Sequence, residues 1–395
     1  MELFYPHSGQ WLLRKFEIYK NFRTSDTAYW SAKYGMYIIT RYDDIAFALS
    51  NPDIFSSAQG NLIVEHKKRF GKTLGASDDP VHAKLKNTVK QGYAKDNIER
   101  IVTTFREQAE KYLTSNPTLN ISNATEHLSA WTIAEMLNYP IDKALIKHLI
   151  VEIQRHAPLA VNVDADFGYE SGYMKMFNYD PATPYGLSHV LGSVAKCPAH
   201  GPGIYKEYFD NRESSGLDFD PKSLLSGPAL SGASSLTGAL QFLTLDLCRE
   251  NQLDYLLADP SLIPNAVDES LRFHASTGRF SRTVTTEITM HGIDLKPGDR
   301  VALCLESGNR DPIRFTDPDK FDLYRDTSGT LAFGRGTHAC PALAINKEIM
   351  IVYLEILLKN FGKYKILTRD EDLVYVNTNS GNDDMIKNIE IESGK

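Results

Sequence analysis

Hydrophobic positions recur at helical spacing through much of this chain of 395 residues. From residue 98 to about residue 156, apolar side chains such as Ile101, Phe105 and Ala109 repeat every three or four positions, which is the period of a helix that packs one face against a core. Residues 224–249 are apolar on nearly every side, as expected for a helix buried at the centre of a protein. The pattern predicts a mainly helical fold with one central buried helix.

Shorter stretches have the residue types of strands. Residues 35–42 are rich in β-branched and aromatic side chains and predict a strand, which leads into a short helix over residues 45–49, capped by the two aspartates before it. Residues 283–292 alternate between polar and apolar positions and predict another strand, and residues 293–298 predict its hairpin turn. The predicted fold class is therefore mainly α with a small β-rich side.

Two segments show no clear periodicity. Residues 58–79 carry three glycines and a basic cluster and predict a mobile loop, after which a helix begins beyond Pro80. Residues 162–202 are dense in tyrosine, glycine and proline and are also predicted to be irregular.

Composition and charge limit the class of protein. A hydrophobic content of 42% and a charged content of 24% fit an ordinary globular protein, and the absence of a recognisable linker predicts one domain over residues 1–395. The net charge of -7 gives no support for a nucleic-acid or anionic-membrane partner. No apolar run approaches the ~20 residues of a membrane span, and no signal peptide is recognisable. We therefore expect a cytoplasmic protein without a membrane anchor.

The cysteines direct attention to one stretch of the chain. Cys197, Cys248, Cys304 and Cys340 form no C-x-x-C pair and have no zinc spacing, so we expect reduced thiols. Residues 333–340 read Phe-Gly-Arg-Gly-Thr-His-Ala-Cys, and their two glycines allow a tight turn that presents the cysteine with amide hydrogens pointing at its sulfur. The plainer interpretation of a lone cysteine is a small buried apolar residue.

This stretch resembles the heme-binding signature F-G-x-G-x-H-x-C of the cytochrome P-450 superfamily. The resemblance implies that Cys340 is the axial thiolate ligand of the iron of heme b, and that Phe333, Gly334 and His338 belong to the cofactor-binding loop. The chain departs from the family immediately afterwards, where Pro341 and an alanine stand instead of the usual glycine two residues past the cysteine.

Basic residues elsewhere match the family's propionate contacts. His82 and Lys86 lie four residues apart on one predicted helix face and resemble the family's His-x-x-x-Arg, which contacts the heme propionates. Lysine keeps the charge but loses the planar guanidinium. Arg282 stands where the family has another propionate-binding arginine. The plainer interpretations are a solvated helix face for the first pair and an exposed strand residue for Arg282.

A second charged group resembles the family's support for the cysteine loop. Glu269 and Arg272 form a Glu-x-x-Arg pair on a predicted helix, which by itself is a common ion pair. The resemblance adds Arg325 as the third partner. A desolvated network of this kind would rigidify the proximal side of the heme.

The central helix departs from the family at the residues that face dioxygen. Residues 231–235 read Ser-Gly-Ala-Ser-Ser, where the family has Ala/Gly-Gly-x-Asp/Glu-Thr, an acid and alcohol pair that relays protons. Ser234 and Ser235 are therefore the catalytic candidates. Ser235 keeps a hydroxyl, whereas Ser234 lacks the acidity of a carboxyl group. The plainer interpretation is that small residues let the helix pass close to a flat cofactor. The predicted substrate-pocket residues are Gly232, Ala233, Thr277 and Gly278.

The resemblance implies a cytochrome P-450 fold, with heme between the distal helix and the Cys340 loop. It implies a monooxygenase of specialised metabolism that oxidises a small molecule with dioxygen and two electrons from a separate donor, of ferredoxin or flavodoxin type with its reductase. Tyrosines 169, 173, 179 and 185 suggest an aromatic or amphipathic substrate, unless they fill an irregular cluster. Two alternatives remain. One is oxidative coupling or ring formation, such as phenol coupling, without oxygen insertion, and the other is a non-catalytic heme-binding or ligand-sensing protein.

Overall fold

Helical residues far outnumber strand residues in the computed structural model, which describes residues 2–65, 67, 70–114, 117–137, 158–160, 232–378 and 382–395. Labels below are numbered along these residues. The α-helices are α1 (Gly9–Thr24), α2 (Tyr42–Ser50), α3 (Val81–Val89), α4 (Lys95–Tyr112), α5 (Ile121–Leu137), α6 (Ala233–Arg249), α7 (Leu253–Ala258), α8 (Ile263–Phe273), α9 (Leu305–Gly308) and α10 (Leu343–Phe361). Short 3-10 turns occupy Lys90–Tyr93, Pro260–Leu262, Gly336–His338 and Asp370–Asp372.

The largest apolar core lies where α4, α5, α6, α8 and α10 pack together. Helix α6 is buried on nearly all sides from Ala233 to Leu247, as its all-round apolar sequence predicts, because it is surrounded by the other helices and the C-terminal strands. The preceding part of the predicted helix, residues 224–231, lies outside the described residues. No helix of the described ranges is long and apolar enough to cross a membrane.

The strands form small sheets at the periphery of this helical body. The strands are β1 (Tyr29–Ser31), β2 (Met36–Ile39), β3 (Phe55–Ser56), β4 (Thr118–Asn120), β5 (Pro158–Ala160), β6 (Arg279–Val284), β7 (Ile288–Met290), β8 (Ile293–Leu295), β9 (Arg300–Cys304), β10 (Lys365–Ile366), β11 (Tyr375–Thr378), β12 (Asp384–Ile386) and β13 (Glu390–Glu392). The largest sheet has the order β1-β2-β9-β6-β3, in which β2 and β9 run parallel and the other pairs are antiparallel.

Several predicted element boundaries are wrong. Helix α2 begins at Tyr42 with Arg41 as its N-cap, so Asp43 and Asp44 lie in its first turn and do not cap it. The helical pattern predicted from residue 98 corresponds to the two helices α4 and α5, and the strand β4 between them, which pairs with β13, was not predicted. Residues 138–157 lie outside the described residues.

The β-hairpin that follows β6 also turns earlier than predicted. Its turn is at His291 and Gly292, both with positive φ (44° and 69°), and residues 293–295 form the return strand β8. The Pro-Gly turn at residues 297–298 connects β8 to β9 instead. The predicted loop over residues 58–79 contains no α-helix or strand in its described part.

The C-terminal strands return to the central helix. Strands β11 and β12 form a hairpin that packs on α6. A Cβ atom at Gly238 of α6 would collide with the backbone carbonyl of Asp384, so only glycine allows the hairpin to approach this closely. The start of β12 is thereby held against the N-terminal part of α6.

Candidate active site

A cavity of about 270 Å³ lies between α6 and the segment of residues 332–342. Its lining combines apolar side chains of α6 with the cysteine loop and with basic side chains of α3 and β6. All seven residues that the sequence assigns to the cofactor line this one cavity, namely His82, Lys86, Arg282, Phe333, Gly334, His338 and Cys340.

The cysteine loop has the tight turn that its glycines predict. Gly334 and Gly336 have φ angles of 68° and 71°, which disfavour any other residue type. The Cys340 N–H donates to the Phe333 carbonyl at 2.8 Å and closes the loop. A Cβ at Gly336 would lie 2.6 Å from the Leu49 carbonyl, so the loop also packs tightly against the end of α2.

The surroundings of the Cys340 sulfur affect its pKa in two opposing ways. Burial raises the pKa of the Cys340 thiol, and the backbone N–H of Ala342, which hydrogen-bonds to the sulfur, opposes this rise. Helix α10 begins directly afterwards, at Leu343, so the altered sequence at Pro341 still leads from the loop into a helix. A bound metal ion deprotonates a coordinating thiol outright, and this loop therefore fits a heme iron.

Basic side chains gather in the cavity wall beside the cysteine loop, where Lys86 Nζ donates to the Thr337 carbonyl at 2.8 Å. Burial lowers the pKa of Arg282 to about 10, and its guanidinium donates to the Ser281 carbonyl at 2.7 Å. No carboxylate of the described residues forms an ion pair with Arg282. Burial, followed by the charges of Arg282, His82 and Lys86, lowers the pKa of His338 to about 3. The rings of His82 and His338 lie 4.0 Å apart. The buried cation of Arg282 favours an anion in the cavity, and the two heme propionates fit that need.

A buried charge network supports the loop from behind. Glu269 binds Arg272 through two hydrogen bonds of 2.7 and 2.8 Å, and its Oε1 also accepts from Arg325 at 3.1 Å. Arg272 donates to the Asn309 carbonyl at 2.9 Å, and the Asn309 side chain accepts from the Leu331 N–H at 2.7 Å. This continuous path connects α8 to the segment that leads into the cysteine loop.

The predicted distal residues divide between the cavity wall and the layer behind it. Gly232, Ser235 and Thr277 line the cavity, and the Ser235 hydroxyl donates to the Gly232 carbonyl at 3.3 Å. Ser234, Ala233 and Gly278 are not part of the described wall. Ala233 is fully buried, and a Cβ at Gly278 would lie 2.5 Å from the Glu306 side chain.

Sequence reasoning missed Asp383, a carboxyl group in the cavity wall. The hydroxyl of Thr277 donates to Asp383 Oδ1 at 2.6 Å, and the hydroxyl of Ser234 donates to Asp383 Oδ2 at 3.0 Å. Burial raises the pKa of Asp383 to about 6, although these two hydrogen bonds oppose the rise. Asp383 lies 149 positions from Ser234, and no local pattern in the sequence links the two.

Comparisons with known proteins agree with this geometry. Residues 256–372 match the family model described as Cytochrome P450. The methyl-branched lipid omega-hydroxylase of Mycobacterium tuberculosis is 28% identical over 351 residues, covering 82% of this chain and 77% of that protein. The pulcherriminic acid synthase of Bacillus subtilis is 23% identical over 406 residues, covering 95% of this chain and 94% of that protein. The family model and these relatives support the cytochrome P450 superfamily for this chain.

Solved structures give the same result for the fold of this P450. The heme domain of the Tepidiphilus thermophilus P450 superposes with a TM-score of 0.82 at 18% identity, covering 99% of this chain and 96% of that chain. The P450 fold predicted from the resemblance is thus confirmed. The protein is a P450-type oxidoreductase of the monooxygenase class, and its cofactor is heme b bound through a cysteine thiolate. Of the three cysteines described, only Cys340 lines the cavity, and we infer that it is the ligand.

Proposed function

We propose that this P450 oxidises a small amphipathic organic molecule of specialised metabolism, with electrons from a separate ferredoxin or flavodoxin and its reductase. The observation that carries the proposal is the convergence of Cys340, the basic cluster and an apolar distal wall on one cavity. Thiolate-bound heme supplies the activation of dioxygen. The protein supplies the ligand, the charge balance and a dry, shaped site.

Each group of residues has a separate task in this proposal. Cys340 would hold the iron. Arg282, His82, Lys86 and His338 would hold the propionates of the heme. Leu236 and Ala239 on α6 and Phe280 on β6 present apolar surface to the cavity and exclude water from it.

The character of the wall supports an amphipathic substrate. Apolar side chains such as Ile133 and Met136 share the lining with the amides of Asn61 and Asn382. A substrate with an apolar body and a few hydrogen-bonding groups would match both. The similarity to the pulcherriminic acid synthase along almost the whole chain supports specialised metabolism. The tyrosines that suggested an aromatic substrate lie outside the described residues.

Oxidative coupling without oxygen insertion is the second candidate, and the serine at position 234 favours it because coupling substrates supply their own hydroxyl protons. The test begins with a screen for compounds that shift the heme absorption. Turnover of the hits with a surrogate ferredoxin and reductase under isotopically labelled dioxygen then separates the two functions. Labelled oxygen in the product is the result expected of a monooxygenase, whereas unlabelled coupled or cyclised product would support the second candidate and contradict the first.

A further inference from the structure

The turn before β12 brings a carboxyl group to the position where the distal helix lacks one. Ser234 stands where the resemblance predicts an acid, and its hydroxyl donates to Asp383 Oδ2 at 3.0 Å. Asp383 is 2% exposed and lines the cavity beside Ser235 and Thr277. An acid is therefore present at the start of α6, although a different element supplies it.

Backbone pairing fixes Asp383 in this place. Thr277 and Asp383 form an antiparallel β-bridge, and the Gly278 N–H donates to the Asn382 carbonyl at 3.0 Å. The Ser276 hydroxyl donates to the Ser235 carbonyl at 2.6 Å, while the Ser276 carbonyl accepts from the Asp384 N–H at 2.9 Å. The segment before β6, the start of β12 and the start of α6 are thereby held together at this carboxyl group.

The charges around Asp383 are already paired with one another. Asp384 accepts from Arg279 at 2.6 Å and from Lys15 at 2.7 Å, and Lys15 also binds Glu306 at 2.5 Å. Asp384 raises the pKa of Asp383 and Arg279 lowers it, both less than burial raises it. The Asp383 carboxyl group accepts hydrogen bonds from the neutral hydroxyls of Thr277 and Ser234. Because burial has the largest effect on its pKa, the Asp383 carboxyl group can hold a proton near neutral pH.

We propose that Asp383 supplies the acid that α6 lacks, holding a proton on its carboxyl group and delivering it into the cavity through the hydroxyl of Thr277. The proton leaves a carboxyl oxygen of Asp383 while the Thr277 hydroxyl passes one proton on and accepts another. Asp383 becomes a carboxylate and regains its proton from water. No electrons move at this residue, and the reaction of the cavity consumes the proton. Ser234 holds the second carboxyl oxygen and acts as a positioning residue.

This inference rests on the proposed function but is tested separately from it. The first readout is the infrared absorption of a buried protonated carboxyl group in the holoenzyme. We expect a band that titrates near pH 6, shifts in Ser234→Ala and is lost in Asp383→Asn. The matched control is Asp26→Asn, an exposed aspartate away from the cavity, and it should keep the band. A titrating band that persists in Asp383→Asn would overturn the proposal.

The second readout is oxidation of a phenolic dye driven by hydrogen peroxide, which needs neither the natural substrate nor an electron donor. General acid and base groups contribute roughly 10²–10⁴-fold. We expect Asp383→Asn to lose at least ~10-fold in kcat with an unchanged heme spectrum, and Asp383→Glu to recover part of it. A kcat equal to that of the wild type in Asp383→Asn would overturn the proposal. Failure of the wild type to oxidise any substrate with dioxygen would refute only the proposed function.

Discussion

Burial shifts the pKa values of Cys340 and Arg282 in the cavity wall in opposite directions. At Cys340 it raises the pKa of the thiol and favours the neutral form, whereas at Arg282 it lowers the pKa and makes a fixed positive charge costly. The charged form of each group, the thiolate and the guanidinium, is thus destabilised without a partner of the opposite charge. Iron and propionate carry those two charges in one molecule, so single residues already specify a cofactor that is cationic at its centre and anionic at its edge.

Replacement of Arg282 by glutamine should have opposite effects on the two forms of the protein. The apoprotein should gain stability, by order 1–3 kcal/mol, because the substitution removes a buried cation that no described carboxylate pairs. The holoprotein should lose heme more easily, because a propionate contact is gone. Thermal unfolding of both forms and heme transfer to an acceptor protein measure these effects. Arg369→Gln, at an exposed site, should change neither, and equal destabilisation of both forms by Arg282→Gln would contradict the assignment.

Asp383 predicts a pH dependence whose sign is fixed by its raised pKa. Its folded-state pKa is about 6, above the ordinary value of 3.8, so the folded state binds this proton more tightly than the unfolded state. The contribution to stability is full below the ordinary value and is lost as pH rises through about 6, by at most ~3 kcal/mol. Asp383→Asn should therefore gain thermal stability relative to the wild type between about pH 4 and pH 6. A difference that does not change with pH would contradict the raised pKa.

At the scale of elements, the sequence predicted the local turn of the cysteine loop better than it predicted where helices and strands begin and end. The cysteine loop could be predicted because its turn depends on two glycines within a few residues of each other. The hairpin turn after β7 could not be predicted. Turn rules favour the Pro-Gly pair at residues 297–298, whereas the hairpin turns at His291, which adopts the left-handed conformation that usually favours glycine. The strand β4 between α4 and α5 also escaped prediction, since β4 depends on its pairing with the distant strand β13.

The two glycines of the loop offer a matched pair of substitutions. Gly334→Ala and Gly336→Ala impose the same backbone penalty, of order 1 kcal/mol, because both φ angles are near 70°. A Cβ atom added at Gly336 would lie 2.6 Å from the Leu49 carbonyl oxygen, whereas the nearest atom to a Cβ added at Gly334 is the His338 carbonyl oxygen at 3.7 Å. Gly336→Ala should therefore lower the thermal midpoint of the holoenzyme further and broaden its heme absorption. Equal effects of the two substitutions would contradict the close packing of the loop on α2.

At the scale of the whole molecule, the site depends on contacts between distant parts of the chain. Glu269 binds Arg272 and Arg325, the partners that the resemblance implies, and the structure adds Asn309 as the step to the cysteine loop. Asp383 could not be predicted in the same way, because its relation to α6 requires knowing how the C-terminal hairpin folds back. Contacts carried by a family motif could thus be read from the sequence, and contacts specific to this chain could not.

Removal of Glu269 should destabilise the entire holoenzyme. Glu269→Ala leaves the buried guanidinium of Arg272 and that of Arg325 without their carboxylate, at a cost of roughly 3–5 kcal/mol. The exposed pair of Arg106 and Glu355 provides the control, and Glu355→Ala should cost less than about 1 kcal/mol. Thermal unfolding followed by heme absorption measures both. A small effect of Glu269→Ala, similar to that of the control, would mean that the network does not support the cysteine loop.

The central claim is that Cys340 provides the thiolate ligand of a heme in the cavity beneath α6. The most direct measurement is the absorption spectrum of the reduced protein with carbon monoxide, recorded for the wild type and for Cys340→Ser, with Cys248→Ser as a control. We expect the band characteristic of thiolate ligation in the wild type and in the control, and its complete loss in Cys340→Ser. Persistence of that band in Cys340→Ser, or its absence from the heme-loaded wild type, would contradict the claim.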